Sequence, residues 1–72
     1  MKLTKEQMQF IINCDIEALV SLLQKDKGLS LLDAFDRVYN SDTYQKIINR
    51  NTSLYLQSPY YIYDYLKSEA TN

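Results

Sequence analysis

Residues 4–28 read TKEQMQFIINCDIEALVSLLQKDKG, and the periodicity of this stretch decides the fold. Met8, Ile12, Ile16, Leu19 and Leu23 recur at spacings of three or four and, with Ile11 and Leu22 beside them, draw one apolar stripe along a helix. Thr4-Lys5-Glu6-Gln7 has the form of a capping box, in which the threonine hydroxyl and the glutamine side chain each satisfy an orphan backbone donor. About six turns are expected, ending near Lys25. Gly28, the only glycine of the chain, is placed to stop the helix in a left-handed conformation.

Working outward, Ser30-Leu31-Leu32-Asp33 is a second helix start, with serine as N-cap and an acidic residue in the first turn. The second helix is expected to reach about Asn40, with Leu31, Phe35 and Val38 as its inward stripe. Ser41-Asp42-Thr43 can cap a short third helix carrying Tyr44, Ile47 and Ile48; one longer helix running through Asn40 and Ser41 is the alternative. Asn49 to Ser53 is polar and reads as a turn, because these side chains compete for backbone hydrogen bonds. Leu54-Tyr55-Leu56 fits either an extended piece or a further helical turn. Ser58-Pro59 then opens a last helix, expected over about Pro59 to Glu69, with Ala70, Thr71 and Asn72 frayed. The fold class is therefore all-α: a compact bundle of about four helices, with residues 1–72 forming a single domain.

The bulk numbers narrow the functions. Seventy-two residues make one small domain that buries only about 60% of its unfolded surface. One cysteine excludes an internal disulfide, and the lack of histidine removes the commonest transition-metal ligand. Self-association is then the open route to further burial. The net charge of −1 comes from eight basic and nine acidic residues spread along the chain, so no nucleic acid is expected as a partner. Lys46 and Arg50 form the one adjacent basic pair, and solvated surface charge accounts for them. No segment has the apolar length of a signal core or a membrane span, which implies a cytoplasmic protein with no membrane partner.

No catalytic constellation stands out. Cys14 lacks any histidine to generate a thiolate and reads as a small apolar residue. Asp15 and Glu17 point in nearly opposite directions on a helix, and Asp33 with Asp36 lack the oxygen-rich loop of a calcium site. Asp15 lies at the edge of the apolar stripe, where a structural hydrogen bond to a tyrosine or a helix end is expected. No enzymatic activity and no cofactor are expected.

The aromatic residues carry the functional signal, since five of seven tyrosines fall between positions 55 and 65. On the last helix Ile62, Leu66 and Tyr65, with Tyr61 at the edge, point one way as core candidates; Tyr60 and Tyr63 fall opposite. Tyrosine suits an interface because its rigid ring tolerates partial wetting. On the first helix Phe10 and Cys14 sit one turn apart behind the main stripe, to be covered by the last helix, by Leu54–Leu56 or by a partner. Phe10, Cys14, Tyr60 and Tyr63 are therefore the candidate surface for a protein partner or for self-association. A DNA-binding regulator built on a helix-turn-helix from the second and third helices is the alternative.

Phe10, Cys14, Ile16-Glu17, Ser30, Ala34-Phe35 and the closing Tyr61-Ile62-x-Asp64-Tyr65-Leu66 together resemble a family of small bacterial helical proteins classed as a domain of unknown function. The resemblance spans most of the chain and contains no catalytic signature. It implies a compact cytosolic domain and, through members encoded near ADP-ribosyltransferase-like proteins, a regulatory or antitoxin-like partner role. The chain departs from that pattern at Asn51-Thr52-Ser53-Leu54, where the family commonly carries a histidine.

Overall fold

In a computed structural model that describes residues 2–70, Ala70 by its backbone, four α-helices and two short 3-10 turns form one globule, with no strand among the described residues. The expected fraying of Thr71 and Asn72 lies outside the described residues, whereas Ala70, expected to fray with them, is the last residue of the closing helix. Helix α1 spans Lys5–Lys27, α2 Leu31–Tyr39, α3 Asp42–Ile48 and α4 Pro59–Ala70. The 3-10 turns, Arg50–Thr52 and Leu54–Leu56, lie between α3 and α4.

The punctuation of the sequence explains these boundaries. Thr4 and Gln7 form the reciprocal capping box, with the Gln7 amide donating to Thr4 Oγ1 at 3.1 Å and the Thr4 amide to Gln7 Oε1 at 2.9 Å. Helix α1 ends at Lys27, two residues beyond the expected Lys25, and Gly28 caps it at φ 66 with its amide donating to the Gln24 carbonyl. A side chain would be strained at that φ. Ser30 caps α2, and Ser41 caps α3 through a bond from the Tyr44 amide, so α2 and α3 are separate helices. Leu54–Leu56 is a helical turn that buries Leu54 and Tyr55 and leaves Leu56 exposed.

The core is built on α1, whose Ile12, Ile16, Leu19, Val20 and Leu23 meet Ala34 and Val38 of α2, Ile47 of α3, Leu54 and Tyr55, and Ile62, Tyr63 and Leu66 of α4. Burying an aliphatic or aromatic side chain of this kind contributes about 1.5–3 kcal/mol each before entropy is counted. Two helices are rotated from the expected phase. In α2 the fully buried pair is Ala34 and Val38; Phe35 is half-buried and Leu31 exposed. Small Ala34 is fully buried where the larger Leu31 was expected, and Leu31 is exposed.

The rotation of α4 overturns one candidate site residue. Tyr63, placed by its spacing on the outer side, is only 6% exposed, whereas Tyr61 and Tyr65, placed in the core, are exposed. Ile62 and Leu66 are buried as expected, and both directions of rotation keep them so. Two polar anchors decide the direction. The Tyr63 hydroxyl donates to Asp26 Oδ2 at 2.8 Å near the end of α1, and Glu69 reaches the start of α3.

Candidate interaction surface

The candidate residues divide after folding. Phe10 and Tyr60 stand 69% and 72% exposed, and Cys14 is an exposed free thiol. Tyr63 leaves the group because it is buried; burial, its bond to Asp26 and the charge of Asp26 push its hydroxyl up to about 12, against the opposing charge of Arg37. Neither α4 nor Leu54–Leu56 covers Phe10 and Cys14, contrary to the intramolecular cover that their position suggested.

Helical geometry explains why three of the four remain on one side. Phe10, Cys14 and Ser21 lie on the side of α1 away from Leu19 and Leu23, which face the core. Pro59 sets the first turn of α4 beside the same helix, further along. There Ala18, Ser21, Leu22 and Lys25 line a depression of about 350 Å³ with Pro59 and Tyr60. Phe10 lies about 12 Å from Ala18 along α1, at 1.5 Å per residue, with Cys14 between. A second depression, of about 620 Å³, adjoins Phe10 and is lined by Leu3, Thr4, Glu6, Gln7, Phe10 and Ile11. The side therefore carries Phe10 and Tyr60 as exposed rings among polar residues such as Glu17, Ser21 and Lys25, with a depression beside each ring.

Other aromatic residues are committed to neighbours. Tyr61 and Tyr65 meet edge to face at 5.6 Å between centroids, and the Lys46 ammonium lies 5.2 Å over the Tyr65 ring. Lys67 lies 5.4 Å over Tyr63 and pairs with Asp64 at 3.6 Å. These stems and charges cover tyrosine faces in the way that long basic side chains commonly do.

The start of α3 bears on the helix-turn-helix alternative. Its Asp42 and Thr43 amides donate to the two carboxylate oxygens of Glu69 at 2.6 and 2.8 Å, and the Thr43 hydroxyl donates to the same carboxylate. Burial alone raises the Glu69 carboxyl, but these three bonds and the Lys46 charge leave it below its ordinary value. In a recognition helix the N-terminal residues contact base edges. Here a carboxylate occupies that end. Arg50 falls beyond α3 in the first 3-10 turn, so Lys46 and Arg50 do not share one continuous helix.

Asp15 is the chemical anomaly of the core. It is 6% exposed and its Oδ2 atom has no hydrogen-bond partner, so the expected bond to a tyrosine or helix end is not made. Burial raises its carboxyl to about 6. No depression described here is lined by it, and no group of three or more potential metal-ligating side chains occurs among the described residues. Among the described residues no helix is long and apolar enough to cross a membrane.

Sequence reasoning missed the outer face of α2. Leu31, Leu32 and Tyr39 are exposed and Phe35 half-exposed, although these residue types ordinarily seek the core. The signal was present: α2 has five large apolar residues in nine positions, more than one inward stripe can take. A scan of protein-family models, a search of curated proteins and a search of solved structures each returned no match to this chain.

Proposed function

We propose that this protein acts by binding another protein, without catalysis, through the outer side of α1 at Phe10 and Cys14 together with Tyr60. The observation that carries the reading is the exposure of Phe10 and Tyr60 in a chain short of core. Each ring would gain burial against a partner, and aromatic residues in such positions dominate interface energetics. The depression beside Tyr60 offers a seat for a protruding side chain. The partner is a second copy or a different protein, and the regulatory or antitoxin-like role follows from the resemblance set out above. A cytoplasmic site of action and the absence of nucleic acid or membrane partners belong to the same reading. Glu69 at the start of α3 supports it over DNA binding.

Light scattering over about 1 to 200 micromolar, the range in which weak association is measurable, separates the two kinds of partner. A mass that doubles, and reverts on Phe10→Ser or Tyr60→Ser, identifies a second copy. A monomer throughout is followed by capture from native extract with intact and double-variant baits. The proposal is overturned by a monomer that retains the same proteins whether or not Phe10 and Tyr60 are present.

A further inference from the structure

Between the end of α2 and the last turns of α4 lies a depression of about 330 Å³ whose charges the interaction surface does not use. Asp36, Arg37, Asn40 and Ser41 line it on one side, Leu66 and Glu69 on the other. Its volume is at the lower end of the range for small-molecule sites. Most of its polar atoms are committed to the fold. Ser41 Oγ donates to the Val38 carbonyl at 2.6 Å and accepts from the Tyr44 amide at 3.0 Å. Asn40 Nδ2 donates to Asp36 Oδ1 and to the Asp36 carbonyl, each at 2.9 Å. Both Glu69 oxygens accept from the start of α3.

What remains is complementary in sign. Among the described residues the half-buried Arg37 guanidinium makes no hydrogen bond and no ion pair. Its charge acts on the Tyr63 hydroxyl, which is itself bonded to Asp26. Asp33, one turn before Arg37 and outside the lining, pairs with it no more than Asp36 does. The guanidinium therefore keeps its planar fork of N–H donors, the geometry that matches a carboxylate. Asp36 Oδ2 and Asn40 Oδ1 accept nothing from described residues. Glu69 is not an open acceptor, because its three hydrogen bonds and the Lys46 charge already stabilise it as a carboxylate. A lone anion here would meet Asp36 beside Arg37, and a lone cation would meet Arg37 itself. A ligand bearing both signs a few bonds apart meets neither penalty.

We propose that this depression binds a free α-amino acid, with its carboxylate on the Arg37 guanidinium and its ammonium on Asp36 Oδ2 and Asn40 Oδ1. Leu66 is the one apolar lining residue and is only 1% exposed, so the site offers little to a ligand's side chain. Selection therefore falls on the zwitterion common to all α-amino acids. The site shares no residue with Phe10, Cys14 and Tyr60, and either reading can fail without the other.

The test is a nuclear magnetic resonance titration of the whole isotope-labelled protein with L-alanine, up to about 100 mM and at constant ionic strength. L-alaninamide, which lacks the carboxylate, and N-acetyl-L-alanine, which lacks the ammonium, are titrated alongside. L-alanine is expected to move the signals of Arg37, Asn40 and Glu69 saturably, with Kd of about 1–10 mM, and each blocked analogue to bind at least about tenfold more weakly. Arg37→Gln should abolish the saturable shifts. Arg37→Lys, which keeps the charge but loses the fork, should weaken binding about tenfold and decides the matter if the glutamine variant does not fold. Asp36→Asn should leave L-alanine binding no better than N-acetyl-L-alanine. Thermal midpoints near the parent's verify the fold of each variant. Shifts that stay linear to the highest concentration, a blocked analogue that binds as tightly as L-alanine, or a Kd unmoved by the Arg37 variants overturns the proposal.

Discussion

Replacing Asp15 by asparagine tests the energetics of the core most sharply. The carboxyl is 6% exposed with an unpartnered oxygen, and burial moves it from an ordinary 3.8 to about 6. Because the folded state holds the proton more tightly than the unfolded chain, stability is greatest when both are protonated, below about pH 4. It falls as pH rises towards and through about 6. At about 1.4 kcal/mol per pH unit the full effect is about 3 kcal/mol, which partial solvent screening of the carboxyl lowers to about 1–2 kcal/mol. For a domain of this length each kcal/mol is about 4–8 °C in thermal midpoint. The assay is urea unfolding followed by helical circular dichroism at half-unit steps from pH 4 to 7.5, on both proteins. Other carboxylates titrate in both, so the difference curve isolates Asp15. Asparagine still leaves a buried amide, so the variant is expected to be less stable than the parent near pH 4 and to gain on it as pH rises. A difference curve flat in pH, or a parent that gains on the variant with rising pH, would falsify the account of this carboxylate.

The other expectations concern the ends of helices and the phase of α4. Glu69→Gln should cost about 1–2 kcal/mol by weakening the cap on α3, and the parent's stabilisation from this group, present above its unfolded pKa, should fade as pH drops through its lowered folded value; chemical denaturation at several pH values checks both. Gly28→Ala should cost about 1 kcal/mol, read by thermal melting, because a methyl there meets nothing within 4 Å and only the left-handed backbone resists it. Tyr63→Phe should cost about 1 kcal/mol through the lost bond to Asp26, whereas Tyr61→Phe should stay within about 0.5 kcal/mol; equal costs in parallel melts would contradict the observed phase.

Local signals carried much of the fold. The capping box at Thr4, the stop at Gly28, and the starts at Ser30 and Ser41 are short-range chemistry between residues a few positions apart, so they are legible in order along the chain. The phase of α4 is not of that kind. Ile62 and Leu66 are compatible with tilting the helix towards Tyr63 or towards Tyr65, and the choice rests on Asp26 and Glu69 finding partners 37 and 26 positions away. Leu31 was misjudged for the same reason: whether a leucine or an alanine faces inward depends on how closely two helices approach. Of the candidate surface, Phe10, Cys14 and Tyr60 could be recognised because they lie well behind the apolar stripes, whereas Tyr63 stood close enough to its stripe for one hydrogen bond to draw it in.

The same distinction frames the functional reading. An aromatic ring that serves the core and one that serves a partner are alike in sequence, but they differ in what their loss disturbs. The double substitution Phe10→Ser with Tyr60→Ser separates the two most directly, with thermal midpoint and association measured on the same preparation. The account predicts a midpoint within the few degrees that about 0.5 kcal/mol represents, together with loss of dimer or captured partner. A midpoint lowered as much as by a core truncation, or association that persists unchanged, would contradict it.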